Sequence, residues 1–174
     1  MNIFYLDEDP ILAAKYHCDV HVVKMILETA QILSTVWNSA VPGHGKALYR
    51  TTHAHHPCVL WAGACFRNYL YTSILGLQLC LEYKARYGRQ HKSEIILNQT
   101  AYPPPALRIG ERRCGTFPTL AMPEEFYDPD PVAAYRHYYR VAKKPLLKYR
   151  LGNWPWWLAE NDNELPLTNI AKEY

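Results

Sequence analysis

The chain has 174 residues, of which 49% are hydrophobic and 20% are charged. This composition is typical of a folded globular protein and excludes a disordered one. The 19 Lys and Arg residues exceed the 16 Asp and Glu residues by only three, so net charge does not identify a nucleic-acid-binding protein, and any such role requires local clusters of cations. Aromatic content is the unusual feature, with 14 Tyr and 5 Trp, residues that fill cores and also bind planar polar partners.

Cysteine usage and hydropathy predict the compartment. The five cysteines are an odd number without CxxC spacing, and the opening residues MNIFYLDEDP lack the basic and apolar regions of a secretory signal. The longest apolar run is interrupted by Arg67, Asn68 and Gln78, which favours a buried helix over a membrane span. We therefore expect a soluble cytoplasmic protein with no membrane partner, in the host cytoplasm if a phage encodes it.

The first part of the chain predicts one strong helix. After a short extended lead-in, Asp9 and Pro10 form a helix-start signal. Asp19 is a second candidate N-cap, and from there apolar residues recur with the helical period. We expect a helix across about 19–38.

A second long helix is predicted to begin at Pro57 and to continue to Tyr87, with Gly88 as its C-terminal stop. The range 98–123 is rich in proline and arginine, which predicts a long non-helical loop.

Asp130 and Pro131 then start a further helix, and residues 160–174 form a polar C-terminal tail. The predicted fold is a single compact all-α domain of several helices across 1–174.

One polar row follows the helix predicted at 19–38. Its members share a face at steps of three and four residues: His21, Lys24, Glu28, Gln31, Thr35 and Asn38. The simple interpretation is a solvated face with a weak ion pair between Lys24 and Glu28. The alternative is the floor of a site, because a carboxylate, an amine and an imidazole together suit acid–base or imine chemistry.

Histidines form two groups. His17 and His21 share a helix face and suit a transition metal, but no spacing matches a known zinc signature, so we predict neither a metal nor another cofactor. The second group precedes the helix at Pro57 and comprises His44, His53, His55 and His56. His56 lies at the N-terminus of that helix, where N–H groups and the helix dipole favour an anion such as phosphate.

The stretch 135–150 interleaves cations with tyrosines, as single-stranded or flipped nucleotides require. The candidate contacts in it are Tyr135, Arg136, Tyr139, Arg140 and Lys144. A second basic cluster in the proline-rich loop comprises Arg108, Arg112 and Arg113. The competing interpretation is that the tyrosines are core residues whose neighbouring cations extend to solvent.

The ordered blocks of the chain resemble the pyrimidine-dimer DNA glycosylase superfamily and related small proteins of tailed phages. The resemblance lies in the words MNIF, HVVKM, HHP and AMP, in Asp19-x-His21 followed by Glu28, and in the late KKPLLKY segment. It implies an all-α, DNA-binding enzyme that works on a flipped pyrimidine base. It also implies that Glu28 is catalytic and that His21 lies near the same site.

Asn2 departs from the family pattern. Well-known members attack with the amine of a threonine exposed when Met1 is removed, and Asn2 is too large for ordinary Met removal. The nucleophile is therefore left open between Lys24 and water. Two other functions also stay open: a transferase that attaches an amino acid or amine to an activated hydroxymethyluracil in DNA, and a non-catalytic DNA-binding or host-defence-inhibiting phage protein.

The predicted site combines these signals. The expected catalytic residues are Glu28, His21 and Lys24. The expected substrate and DNA contacts are Asp19, Gln31, His53, His55, His56, Arg108, Arg112, Arg113, Tyr135, Arg136, Tyr139, Arg140 and Lys144. The expected partners are DNA and, for a transferase, a small amino acid or amine.

Overall fold

The structure is a computed structural model that describes residues 1–109 and 117–159. Regular structure in these two ranges is entirely helical, which confirms the predicted all-α class. The α-helices are α1 (Pro10–Tyr16), α2 (Asp19–Ala40), α3 (Pro57–Ala64), α4 (Phe66–Tyr87), α5 (Glu94–Gln99), α6 (Pro105–Ile109), α7 (Pro131–Ala142) and α8 (Trp156–Ala159). Short 3-10 turns occur at Glu124–Phe126 and Lys144–Leu146.

Two of the three predicted aspartate caps are confirmed. The carboxylates of Asp9 and Asp130 accept hydrogen bonds from the N–H groups of residues 11 and 132, and each is followed by a proline at the first helical position. The prediction that Asp19 caps α2 is wrong, because Cys18 occupies the cap position and Asp19 is the first helical residue. The Asp19 carboxylate instead pairs with Arg86 at 3.1 Å.

The helix predicted from Pro57 to Tyr87 is divided at Cys65, whose backbone is extended with φ −161° and ψ 166°. In a continuous helix the carbonyl of Trp61 would accept from the N–H of Cys65. Here the side-chain amide of Asn68 donates to that carbonyl at 3.0 Å. The stop at Gly88 is confirmed, since Gly88 ends α4 in the left-handed conformation.

The range 98–123 was expected to be non-helical. That prediction is wrong for residues 98–99, which end α5, and for Pro105–Ile109, which form α6. Pro105 fits at the start of α6, since the first turn of a helix needs no N–H from that residue. The polar tail predicted at 160–174 lies outside the described residues.

The centre of the fold is the antiparallel pair α2 and α4. Asp19, at the start of α2, contacts Arg86 near the end of α4, and Thr29 faces Gly76 in the middle of both helices. α5 packs beside this pair through Leu97. Within the two described ranges, no helix has the length and apolar character needed to cross a membrane.

The N-terminal segment lies in the helical core without regular secondary structure. Ile3, Phe4 and Leu6 are buried at 5% exposure or less. Arg136 of α7 donates to the carbonyl of Leu6 and pairs with Asp7 at 2.8 Å. These contacts fix the segment between α2 and α7 and bring its first residues to the middle of α2.

Candidate functional site

Glu28 lies at the middle of α2, with its side chain 13% exposed. Its Oε2 atom accepts the backbone N–H of Asn2 at 2.8 Å and lies 3.7 Å from the amine nitrogen of Met1. Its Oε1 atom lies 3.6 Å from Nζ of Lys24. One partly buried carboxylate therefore holds two amines, and opposite charges at these distances stabilise one another.

Asn2 organises the backbone that reaches Glu28. Its Oδ1 atom accepts the N–H groups of Ile3 at 2.7 Å and Phe4 at 2.9 Å, and its Nδ2 donates to the carbonyl of Ala121 at 2.8 Å. Phe4 carries a positive φ of 48°, which is unusual for a bulky residue. The turn at residues 2–4 is thus fixed by side-chain hydrogen bonds.

The histidine segment lies against the same face of α2. Thr35 Oγ1 donates to the carbonyl of Thr52 and accepts its N–H, both at 3.2 Å, which ties the segment to α2 beyond Glu28. His53 has a positive φ of 49° and is exposed, as is His55. Strained non-glycine residues of this kind concentrate at functional sites.

His56 caps α3, and its Nδ1 accepts the N–H of Cys58 at 3.2 Å. Desolvation lowers the pKa of His56, the positive charges of the N-terminal amine and His53 lower it further, and Glu28 opposes them. The charges of the N-terminal amine and Glu28 thus act in opposite directions on His56. The bond from Cys58 leaves Nε2 as the ring nitrogen that carries the proton in neutral His56.

His21 is 4% exposed and belongs to an aromatic cluster. Its Nδ1 is hydrogen-bonded to the hydroxyl of Tyr139, and its ring stacks on Phe4 at a centroid distance of 4.5 Å. Burial, and after it the charges of His17, Lys143 and Lys24, lower the pKa of His21 to about 3. His21 is therefore neutral, and about two helical turns separate it from Glu28. This placement favours a supporting role over proton transfer at Glu28.

The remaining predicted residues of α2 differ in surroundings. Lys24 is 65% exposed, so its amine reaches both Glu28 and solvent. Gln31 is half-buried one turn after Glu28. Asp19 lies at the far end of the helix, where it binds Arg86 and accepts the backbone N–H of Arg150 at 3.1 Å. Asp19 thus connects helices and lies away from Glu28.

Helix α7 carries predicted cations and tyrosines, and most of these side chains pack in or against the core. Tyr135 and Tyr139 are fully buried. The guanidinium of Arg136 lies over the rings of Tyr16, Trp156 and Trp157, and Arg140 donates to the carbonyl of Trp157. Lys144 is exposed. For the two tyrosines and Arg136, these contacts favour the core interpretation over DNA contact.

Two groups that contact Glu28 were not among the predicted site residues: the Met1 amine and Asn2. Tyr138 and Lys143, from the predicted stretch 135–150, lie beside the N-terminal segment. Lys143 Nζ lies 4.6 Å from the centre of the Tyr138 ring, and that ring stacks on Phe4 at 6.3 Å. Only the folded chain brings residue 1 to α2, so no sequence spacing identifies the Met1 amine.

The basic cluster predicted in the proline-rich loop lies only partly within the described residues. Arg108 lies in α6, and Arg112 and Arg113 lie outside the described residues. Across the described part of the chain, no three His, Cys, Asp or Glu residues are arranged to hold a metal ion. His17 of the proposed i,i+4 pair is buried and bonded to the carbonyl of Ala13 at 2.7 Å.

A separate pocket of about 480 Å³ lies beside α2 and the end of α4. It is lined by Leu27, Tyr49, Tyr83 and residues 89–93, and none of the predicted site residues contributes to it. The amine and carboxylate chemistry at Glu28 therefore lies outside this pocket, on the face that carries Lys24 and His56.

Comparison with protein-family models, curated proteins and solved structures found no match. The geometry around Glu28 is consequently the basis for the function proposed below.

Proposed function

We propose that the protein is a DNA-acting, glycosylase-like enzyme that removes a flipped pyrimidine base, with Glu28 as catalytic carboxylate and the Met1 amine as nucleophile. The observation that carries this proposal is the 3.7 Å separation between the Met1 nitrogen and Glu28 Oε2. An amine beside a partly buried carboxylate is the pair that imine formation at a sugar carbon requires.

In the proposed reaction, the neutral Met1 nitrogen attacks C1′ of the target nucleotide. The C1′–N bond to the base breaks, and the base leaves with the bonding electron pair and takes up a proton. Glu28 stabilises the positive charge that develops on the sugar and accepts the proton lost by the attacking nitrogen. The nitrogen lone pair then forms a C1′=N imine while the C1′–O4′ bond breaks, and O4′ leaves with the bonding pair and takes the proton from Glu28. Water hydrolyses the imine, which restores the amine and leaves an abasic sugar.

The surroundings of Glu28 support a polyanionic substrate. Lys24 and the N-terminal amine place two cations beside Glu28, and the exposed His53 and His55 precede His56 at the start of α3. Cations at the rim of a site bind phosphates, and the exposed histidines offer ring faces to unstacked bases. This local positive rim fits DNA even though the net charge of the chain is only +3.

Lys24 is the competing nucleophile, because its Nζ lies 3.6 Å from the other Glu28 oxygen. Its 65% exposure distinguishes it from the Met1 amine, which the hydrogen bond from Asn2 holds beside Glu28. A desolvated, fixed amine needs less reorganisation to attack than a mobile solvated one.

The proposal is tested by borohydride trapping on duplex DNA that carries ultraviolet photoproducts or abasic sites. We expect a reduced adduct whose protease digest places the DNA on the Met1 peptide, and intact mass confirms that residue 1 is present. An adduct on the Lys24 peptide would show that Lys24 is the nucleophile in place of Met1. Base release without any adduct would show that water is the nucleophile.

The same DNA samples separate the other functions. Incorporation of a labelled amino acid into DNA with activated hydroxymethyluracil, read by nucleoside mass spectrometry, would establish the transferase instead. Salt-sensitive DNA binding with no product in either assay would leave a non-catalytic DNA-binding protein.

A further inference from the structure

We infer that Asn2 is a positioning residue that holds the Met1 amine against Glu28, a role whose catalytic consequence rests on the proposed function. The backbone N–H of Asn2 donates to the same Glu28 oxygen that lies nearest the amine. The direction from which the Met1 amine approaches Oε2 is therefore fixed, because the N–H of Asn2 is bound to the same oxygen.

The side chain of Asn2 fixes the backbone at residue 2 through one acceptor and one donor group. Its carbonyl oxygen accepts two consecutive N–H groups, from Ile3 and Phe4, and this closes the turn that follows residue 2. Its amide donates to Ala121, whose own N–H donates to the hydroxyl of buried Tyr135 at 3.3 Å. Asn2 thus links the amine to a backbone segment outside the N-terminal region.

Asparagine is suited to this position because its side chain both accepts and donates hydrogen bonds. Ionised aspartate keeps the acceptor for the turn and loses the donor to Ala121, whereas leucine of similar size loses both. Asn2 is 9% exposed, so unpaired groups left by either change are not readily satisfied by water. Asn2 is also large enough to keep Met1 in place, and small substitutions such as alanine are unsuitable because they allow Met1 to be removed.

The test uses Asn2→Leu and Asn2→Asp, with Asn98→Leu as a matched control at an exposed position of α5. Intact mass establishes that Met1 is present in each protein, and thermal unfolding establishes that each is folded. The first measurement follows the Met1 amine without using activity: the nitrogen is dimethylated with ¹³C-formaldehyde, and the NMR chemical shift of the attached methyl groups reports its surroundings. The second measurement is the single-turnover rate of borohydride-trapped adduct alongside DNA affinity.

We expect the methyl signal of Asn2→Leu to move to the chemical shift that it has in Glu28→Gln, while Asn98→Leu retains the wild-type chemical shift. Asn2→Asp should lie between them, because it keeps the turn. The adduct rate in Asn2→Leu should fall by about 100-fold with little change in DNA affinity, since displacement of a reacting group by about 1 Å has that effect.

A wild-type methyl chemical shift in folded Asn2→Leu would overturn the positioning role. So would an unchanged adduct rate in that variant. If the wild-type protein forms no adduct while the chemical shift of Asn2→Leu differs as expected, the positioning role stands and the proposed reaction fails.

Discussion

The aromatic ring of Phe4 stacks on the imidazole of His21, with centroids 4.5 Å apart and planes inclined by 18°. The pair joins the N-terminal segment to α2, and Phe4 also stacks on Tyr138 of α7. Since Phe4 follows the turn made by Asn2, the stack fixes the segment whose first nitrogen reaches Glu28. His21 thus supports the site from within the core.

Replacing His21 by leucine should lower stability while leaving chemistry measurable. The variant loses the hydrogen bond to Tyr139 and the stack on Phe4, which together are worth about 2 kcal/mol of unfolding free energy. Urea unfolding gives that difference, and borohydride trapping is measured at a temperature where the variant is folded. Complete loss of the adduct in folded His21→Leu would show that the imidazole takes part in the reaction.

Replacing Glu28 by glutamine should reduce adduct formation by about 100-fold or more, because glutamine neither accepts the proton nor stabilises positive charge on the sugar. DNA affinity should stay near the wild-type value, since removing a negative charge from the site does not weaken phosphate binding. The matched control is Glu125→Gln, an exposed glutamate outside the site. Full activity of Glu28→Gln would remove the carboxylate from the mechanism.

Acidification should destabilise the fold through the buried histidines. Burial lowers the pKa of His17 from 6.5 to about 4, and its Nε2 has no hydrogen-bond partner. The unfolded chain therefore binds a proton at a pH where the folded chain does not, so the unfolding free energy falls as pH falls from 6.5 toward 4. His17 alone accounts for about 2 kcal/mol between about pH 7 and pH 5.

Urea unfolding at these two pH values measures this loss. His17→Phe should show a shallower pH dependence than the wild-type protein, and exposed His55→Gln should keep the wild-type dependence. An equally steep loss of stability in His17→Phe would assign the acid sensitivity to other groups.

Sequence patterns predicted the helix starts at Asp9 and Asp130 and the stop at Gly88, because each depends on local chemistry. The division of α3 from α4 at Cys65 was not predictable in the same way. It depends on a side-chain hydrogen bond from Asn68 to Trp61, and nothing in an apolar run signals it.

The site illustrates the same limit. Glu28 and Lys24 are neighbours on one helix, so their spacing alone pairs them. The Met1 amine is attached to Asn2, which lies 26 residues before Glu28 in the sequence, and its approach depends on the burial of Ile3 and Phe4. In the sequence, Asn2 argued against an amine nucleophile, because it hinders removal of Met1. In the folded chain, Asn2 makes four hydrogen bonds, one of them to Glu28 beside the Met1 amine.

The close approach of α2 and α4 gives the last prediction. A Cβ atom on Gly76 would lie 2.8 Å from Thr29 Cγ2 and 2.9 Å from Leu97 Cδ2, so Gly76→Ala forces three packed elements apart. We expect it to lower the unfolding free energy by about 1–3 kcal/mol, even though alanine favours helix by about 1 kcal/mol over glycine. Gly63→Ala is the matched control, because its Cβ would meet Val36 at an ordinary 3.4 Å. Urea unfolding of both variants should show Gly76→Ala destabilised and Gly63→Ala neutral or stabilised, and the reverse order would contradict the described packing of α2 on α4.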